Sequence, residues 1–188
     1  MGNRLSEIVT RTGDKGTTGM ADGSRRNKDD VRVQALGEVD ELNATLGVTL
    51  SLLDSGPLRN LLFSIQHDLF DIGAELCQPG KLLIDDSYVE FLDNNAETFN
   101  SDLPRLKDFI LPGGSGSVAS LQLSRTVCRR VERCLVGMNE VEEVNPKTRQ
   151  YLNRLSDLLF ILARSQSRAE GGSEVYWNSK FSRQGRGS

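Results

Sequence analysis

The chain has 188 residues, a formal net charge of −3 and 26% charged residues, the profile of one soluble globular domain long enough to bury a real core. Aromatics make up only 6% and none are interleaved with a basic run, which excludes a protein that tracks a nucleic-acid backbone. No apolar signal region opens the sequence and no apolar run approaches the roughly 18 residues that cross a bilayer, so a cytoplasmic protein without membrane contact is expected. Its three cysteines, Cys77, Cys128 and Cys134, are odd in number and lack C-x-x-C spacing, as reduced thiols would.

In chain order, residues 1–30 are rich in glycine, hydroxyls and basic side chains and poor in apolar ones, which predicts an irregular loop-like arm. From Val31 to Leu53 the residues Val31, Ala35, Val39, Leu42, Leu46 and Leu53 recur at three- and four-residue steps, the pattern of a long amphipathic helix with Asp40 and Asn43 along one edge. Ser55-Gly56-Pro57 breaks the chain and starts a second helix, Leu58 to Leu76, which Pro79-Gly80 stops. A shorter helix starts near Ser87, where Ser87-Tyr-Val-Glu90 has capping-box spacing, and Pro104 limits it. A fourth runs from about Ser117 to Met138. Asn145-Pro146 caps a fifth, with Leu152, Leu155, Leu159 and Leu162 as its core stripe. With strand signals nearly absent, the expected fold is all-α: an up-and-down bundle of four long helices and one short helix over residues 31–177, with a frayed polar tail at 178–188.

Three segments carry chemistry. On the fourth helix, Arg125, Arg129, Glu132 and Arg133 fall within roughly a quarter-turn sector beside the apolar arc of Leu121, Cys128, Val131, Leu135 and Met138. Such a stripe either forms a structural ion-pair network or grips an anion. In the arm, Gly13, Gly16 and Gly19 free backbone N–H groups, threonines add hydroxyls, and Lys15, Arg25 and Lys28 add charge. That composition suits a polyphosphate, or else describes a disordered polar arm. It is not a P-loop, since no Gly-Lys-Ser/Thr opens a helix. Between the third and fourth helices, Phe109-Ile-Leu-Pro112-Gly113-Gly114 sets large apolar groups on a turn, either as a plug over the bundle end or as a wall for a flat ligand. His67 is the only histidine and reads as structural, which excludes a histidine triad or metal cluster.

Six motifs in order complete the pattern: Thr10-Arg-Thr-Gly-Asp-Lys-Gly-Thr-Thr-Gly, Lys28-Asp-Asp-Val-Arg-Val, Gly37-Glu-Val-Asp-Glu-Leu-Asn, Phe109-Ile-Leu-Pro-Gly-Gly-Ser, Arg125-Thr-Val-Cys-Arg-Arg-Val-Glu-Arg and Leu152-Asn-Arg-Leu-Ser-Asp. From Thr10 to Trp177 the chain closely resembles the PduO-type ATP:cob(I)alamin adenosyltransferases. The resemblance implies a homotrimer with ATP at the subunit interfaces. It also implies transfer of the 5′-deoxyadenosyl group of ATP to the cobalt of cob(I)alamin, giving adenosylcobalamin and triphosphate, with Mg2+ assisting. Thr10, Arg11, Thr12, Gly13, Thr18, Gly19 and Lys28 would enclose the triphosphate. Arg129, Arg130, Val131, Glu132, Arg133 and Asn153 would complete the ATP site, with Arg129 touching phosphate oxygens. Asp40 would pair with Arg125 across an interface, and Phe109 would face the corrin. No metal ligand is assigned among the side chains. A cobalamin reductase or an adenosylcobalamin-dependent acceptor enzyme would be a partner. Two other classes compete: a phosphoryl transferase or ATPase, which would release ADP, and a regulatory ATP-binding protein without turnover.

Overall fold

A computed structural model describes residues 8–178, so the expected frayed tail lies, from residue 179 onward, outside the described residues. Two short strands, β1 (Thr17–Gly19) and β2 (Arg25–Asn27), precede five helices: α1 (Val31–Ser51), α2 (Pro57–Leu76), α3 (Asp86–Asn100), α4 (Gly116–Met138) and α5 (Pro146–Ala169). The helices alternate in direction. Asn43 and Gln66 exchange hydrogen bonds of 3.1 Å between α1 and α2, and Thr49 meets Ser120 at 2.8 Å while Arg130 reaches Glu38, setting α1 antiparallel to α4. The short α3 lies along α5, tied by the Arg154–Asp93 ion pair. Leucines at the predicted helical spacing fill the centre, with Leu42, Leu46, Leu121, Leu135, Leu155 and Leu159 fully buried. The up-and-down bundle of four long helices and one short one is therefore present.

Several boundaries rest on caps. Asp30, Ser115 and Asn145 cap α1, α4 and α5 by accepting from Arg32, Val118 and Lys147 backbone N–H groups, each satisfying an orphan donor of the first turn. The third helix differs from expectation: Asp85, not Ser87, is its cap and accepts from the Ser87 N–H at 2.9 Å. Helix α1 stops at Ser51, short of Leu53.

The larger difference is in the arm, expected to be irregular. It contains an antiparallel hairpin that pairs Thr17 with Asn27 and Gly19 with Arg25. Met20 at its turn is 3% exposed, and the Ala21 N–H donates to the Cys77 carbonyl at the end of α2. Arg26 is paired with both Asp30 and Glu142, and Arg32 donates to Glu142 at 2.7 Å and to the Leu76 carbonyl at 3.1 Å. One apolar anchor and a charge cluster thus seat the hairpin on the end of the bundle where α2 and α4 finish.

Candidate active site

The arm residues form a compact knot ahead of the hairpin. Thr10 and Thr12 share a hydroxyl hydrogen bond of 3.0 Å, and Arg25 donates to the Thr12 carbonyl at 2.7 Å and the Thr17 hydroxyl at 2.7 Å. The Lys28 N–H donates to the Gly16 carbonyl at 2.9 Å. Its ammonium lies so close to Gly13 that a Cβ there would sit 3.2 Å from Nζ and 3.3 Å from the Thr17 carbonyl, so a side chain here would have to push the lysine tip aside. Arg11 holds a left-handed backbone, φ 56°, a conformation that costs a non-glycine residue roughly 1–2 kcal/mol. Thr18 and Gly19 lie in β1. The structure therefore brings Thr10, Thr12, Gly13 and Lys28 together, around backbone donors and one exposed ammonium.

On α4 the helical phase separates the predicted residues. Arg130 donates to Glu38 at 2.6 Å and pairs with Glu41 on α1, and those two carboxylates raise its pKa. Val131 is fully buried in the core. Glu132 is half-buried. Arg129 and Arg133 are exposed; Arg133 donates to the Arg129 carbonyl, and the Arg129 side chain makes no hydrogen bond or ion pair among the described residues. Across from it, Asn153 is exposed on α5, at a level where the Cys128 thiol donates to the Leu152 carbonyl at 3.3 Å. Burial raises the Cys128 pKa, so this thiol is inert packing.

Arg125 lies one turn before Arg129. Its Nε donates to Gln122 at 2.8 Å and its guanidinium stands 5.9 Å from the Phe160 ring. Burial first, and then the Arg129 charge, lower its pKa, so positive charge is in excess here. Arg125, Gln122 and Phe160 share an open cleft of about 580 Å³ with residues 106–110, including Phe109. Phe109 is 77% exposed. Gly114 closes this loop with φ 131°, where a Cβ would meet Val118 Cγ1 at 2.9 Å. Asp40 is exposed and lies apart, beside a groove between α1 and α2 that Asn43 and Phe70 also line; it makes no ion pair with Arg125 within one chain. His67 is exposed on α2, edge-on to Phe63 at 4.9 Å.

Sequence reasoning missed the Arg26–Glu142–Arg32 cluster and the segment that follows α5, where the Trp177 N–H donates to the Phe109 carbonyl at 2.7 Å. Neither has a local signal, since each pairs residues far apart in the chain.

Fold and site together define an up-and-down helical bundle that presents cations and backbone donors instead of a nucleophile with its base. The sequence profile of the cobalamin adenosyltransferase family matches residues 8–166, and the chain belongs to that family. A cobalamin adenosyltransferase from Cupriavidus metallidurans is 54% identical over 178 residues, covering 94% of this chain and 97% of its own length. A corrinoid adenosyltransferase from Bacillus subtilis is 39% identical over 176 residues, covering 90% of this chain and 91% of its own. Among solved structures, a phenylalanine-to-alanine variant of the PduO-type ATP:corrinoid adenosyltransferase from Lactobacillus reuteri, complexed with cobalamin and ATP, superposes with a TM-score of 0.86. It is 35% identical, and the match covers 92% of this chain and 99% of that one.

Proposed function

We infer that this chain transfers the 5′-deoxyadenosyl group of ATP to the cobalt of cob(I)alamin. Cobalt supplies the electron pair, the cobalt–C5′ bond forms, the C5′–oxygen bond breaks and inorganic triphosphate leaves with the pair. The corrin substrate carries the difficult chemistry. What the protein must do is hold C5′ over cobalt and stabilise charge that grows on the leaving triphosphate. The single observation that carries this reading beyond family membership is the exposed Arg129, a cation without a partner among the described residues, beside the buried core of α4.

The arm at residues 1–30 is the nucleotide-binding element: Thr10, Arg11, Thr12, Gly13, Thr18, Gly19 and Lys28 enclose the triphosphate, and Arg129, Arg133 and Asn153 complete the site. Arg130 and Val131 belong to it as scaffold, through the Glu38–Glu41 pairing and the core. Magnesium fits as a companion of the nucleotide. Among the described residues no cluster of three His, Cys, Asp or Glu side chains could hold a metal ion, whereas triphosphate oxygens are its ordinary ligands.

The geometry suits an oligomer, and the homotrimer is the assembly that the family resemblance implies. The hairpin is seated where α4 ends and the Phe109 loop sits where α4 begins, so the 23 residues of this helix separate them by roughly 35 Å. A triphosphate and its adenosine are far shorter than that. Bringing an arm to a Phe109 cleft therefore calls for two protomers, and the same arrangement gives Asp40 the chance to pair with Arg125 of a neighbour. Phe109 faces the corrin: a phenyl ring cannot ligate cobalt, excludes water from that face and displaces the lower axial base, which eases reduction of cob(II)alamin to cob(I)alamin. Among the described residues no helix is long and apolar enough to cross a membrane, and the unbridged Cys128 and Cys134 suit the cytoplasm. A cobalamin reductase or an adenosylcobalamin-dependent enzyme is the partner this reaction calls for.

Product analysis with ATP, magnesium and chemically reduced cobalamin under anoxia is the test. Triphosphate together with a light-sensitive cobalt–carbon product is expected. ADP would indicate phosphoryl transfer, and no product at all a binding protein.

A further inference from the structure

We propose that the segment from Glu174 to Trp177 is a strap that positions Phe109, with Trp177 as the residue that holds the phenyl ring. This rests on the reading of Phe109 as the face presented to the corrin. After α5 the chain doubles back along the Phe109 loop. The Trp177 N–H donates to the Phe109 carbonyl at 2.7 Å, the Leu111 N–H donates to the Val175 carbonyl at 2.8 Å, and Ile110 and Tyr176 form an antiparallel bridge between them. The Trp177 ring stands edge-on to the Phe109 ring, with centroids 6.3 Å apart and planes at 71°, the favoured geometry for an aromatic pair.

The strap is also anchored away from that ring. Arg164 on α5, 6% exposed, donates Nε to the Glu174 carboxylate and Nη2 to the Pro104 carbonyl at 2.7 Å. One buried guanidinium thus fixes both the start of the strap and the start of the stretch that leads to Phe109. The need for such a device follows from exposure. Phe109 projects into solvent from a loop closed by Pro112-Gly113-Gly114 and has no place in the bundle core, so packing by the bundle does not choose its rotamer. A ring that must displace an axial base has to be held, and the main-chain ladder with Trp177 does the holding. Trp177 is a positioning residue because it acts through Phe109.

The test uses the full chain with MgATP and cob(II)alamin, reading the four-coordinate cobalt fraction by magnetic circular dichroism and the KM for ATP by turnover. Trp177→Ala is expected to lower the four-coordinate fraction and kcat about fivefold, the order expected of one lost aromatic pair, with the ATP KM unmoved. Trp177→Phe should restore most of both. Phe109→Ala should abolish the signal. Loss of signal in Phe109→Ala with an undiminished signal in Trp177→Ala overturns the strap and leaves Phe109 in its role. An undiminished signal in Phe109→Ala overturns the reading of Phe109 itself. Equal losses in Trp177→Ala and Trp177→Phe overturn the argument from ring packing. Trp177 is the only tryptophan, so its fluorescence reports the contact directly: Phe109→Ala should shift the emission, and an unchanged spectrum contradicts the pairing.

Discussion

Glu142 follows α4 and receives both Arg26 and Arg32, so replacing it by alanine tests how the arm is seated. Arg32 is 4% exposed and would keep a single acceptor, the Leu76 carbonyl. Removing one partner of a fully buried ion pair costs about 3–5 kcal/mol, chiefly because the other charge is left without compensation. Here the cost is smaller, since the Glu142 and Arg26 side chains are 25% and 24% exposed and Arg26 keeps Asp30. A loss of about 2 kcal/mol is expected, which for a domain of this size lowers Tm by about 4–8 °C.

The pH dependence has a definite sign. The hydrogen bond from Arg26, and after it that from Arg32, hold the Glu142 pKa below its ordinary 4.5. A carboxylate with a lowered folded pKa contributes stability that is fully present above its unfolded value and disappears as pH falls through the folded one. Wild type and Glu142→Ala should therefore differ most at neutral pH and converge as the pH falls below the ordinary glutamate range. Thermal unfolding followed by circular dichroism across that range reads the gap, and hydrogen exchange reads whether the hairpin amides lose protection first. Equal Tm values at neutral pH, or a gap that stays constant on acidification, would refute the anchoring role.

Three further outcomes are expected. Arg129→Ala should lower turnover on the order of a hundredfold with helical content unchanged, because the side chain is exposed and in its proposed role acts on leaving-group charge; normal turnover would remove it from the site. Asp40→Ala and Arg125→Ala should each weaken substrate binding and subunit assembly, with a coupling of about 1.5 kcal/mol or more between them. Steady-state kinetics and sedimentation measure this, and wild-type behaviour in both variants sinks the pairing. Trypsin should cut after the exposed Arg11 and Lys15 in the absence of nucleotide, and MgATP should slow that cleavage several-fold; identical rates would contradict ordering of the knot by triphosphate.

What could be read from the sequence followed the range of the interactions involved. Helices α1, α2, α4 and α5 each repeat apolar residues over four or more turns, so their periodicity survives without knowledge of partners. The hairpin strands are three residues each, too short for any period, and the hairpin is held by an ion pair between Arg26 and Glu142, 116 positions apart. Asp85 displaced Ser87 as a cap because both are good capping residues within one turn, and only the backbone angle at Asp85, φ −122°, decides between them. The strap after α5 was invisible for a related reason: Glu174 to Trp177 make no pattern alone and become a ladder only against residues 109–111.

The arginine stripe shows what a helix conveys and what it withholds. Successive side chains leave α4 about 100° apart, so the run from Arg129 to Arg133 cannot act as one surface. Val131 enters the core and Arg130 turns to Glu38 and Glu41 on α1, while Arg129 and Arg133 are left facing outward. The apolar arc already fixed that phase, and Val131 lies on it. What phase could not supply was the partner of each cation, because the two acidic residues that neutralise Arg130 come from a different helix some 90 positions away. The neighbouring Arg129 has no such partner among the described residues and is left facing outward. Two arginines, Arg125 and Arg129, that pair with no carboxylate among the described residues are what a site built to receive a polyanion would leave behind.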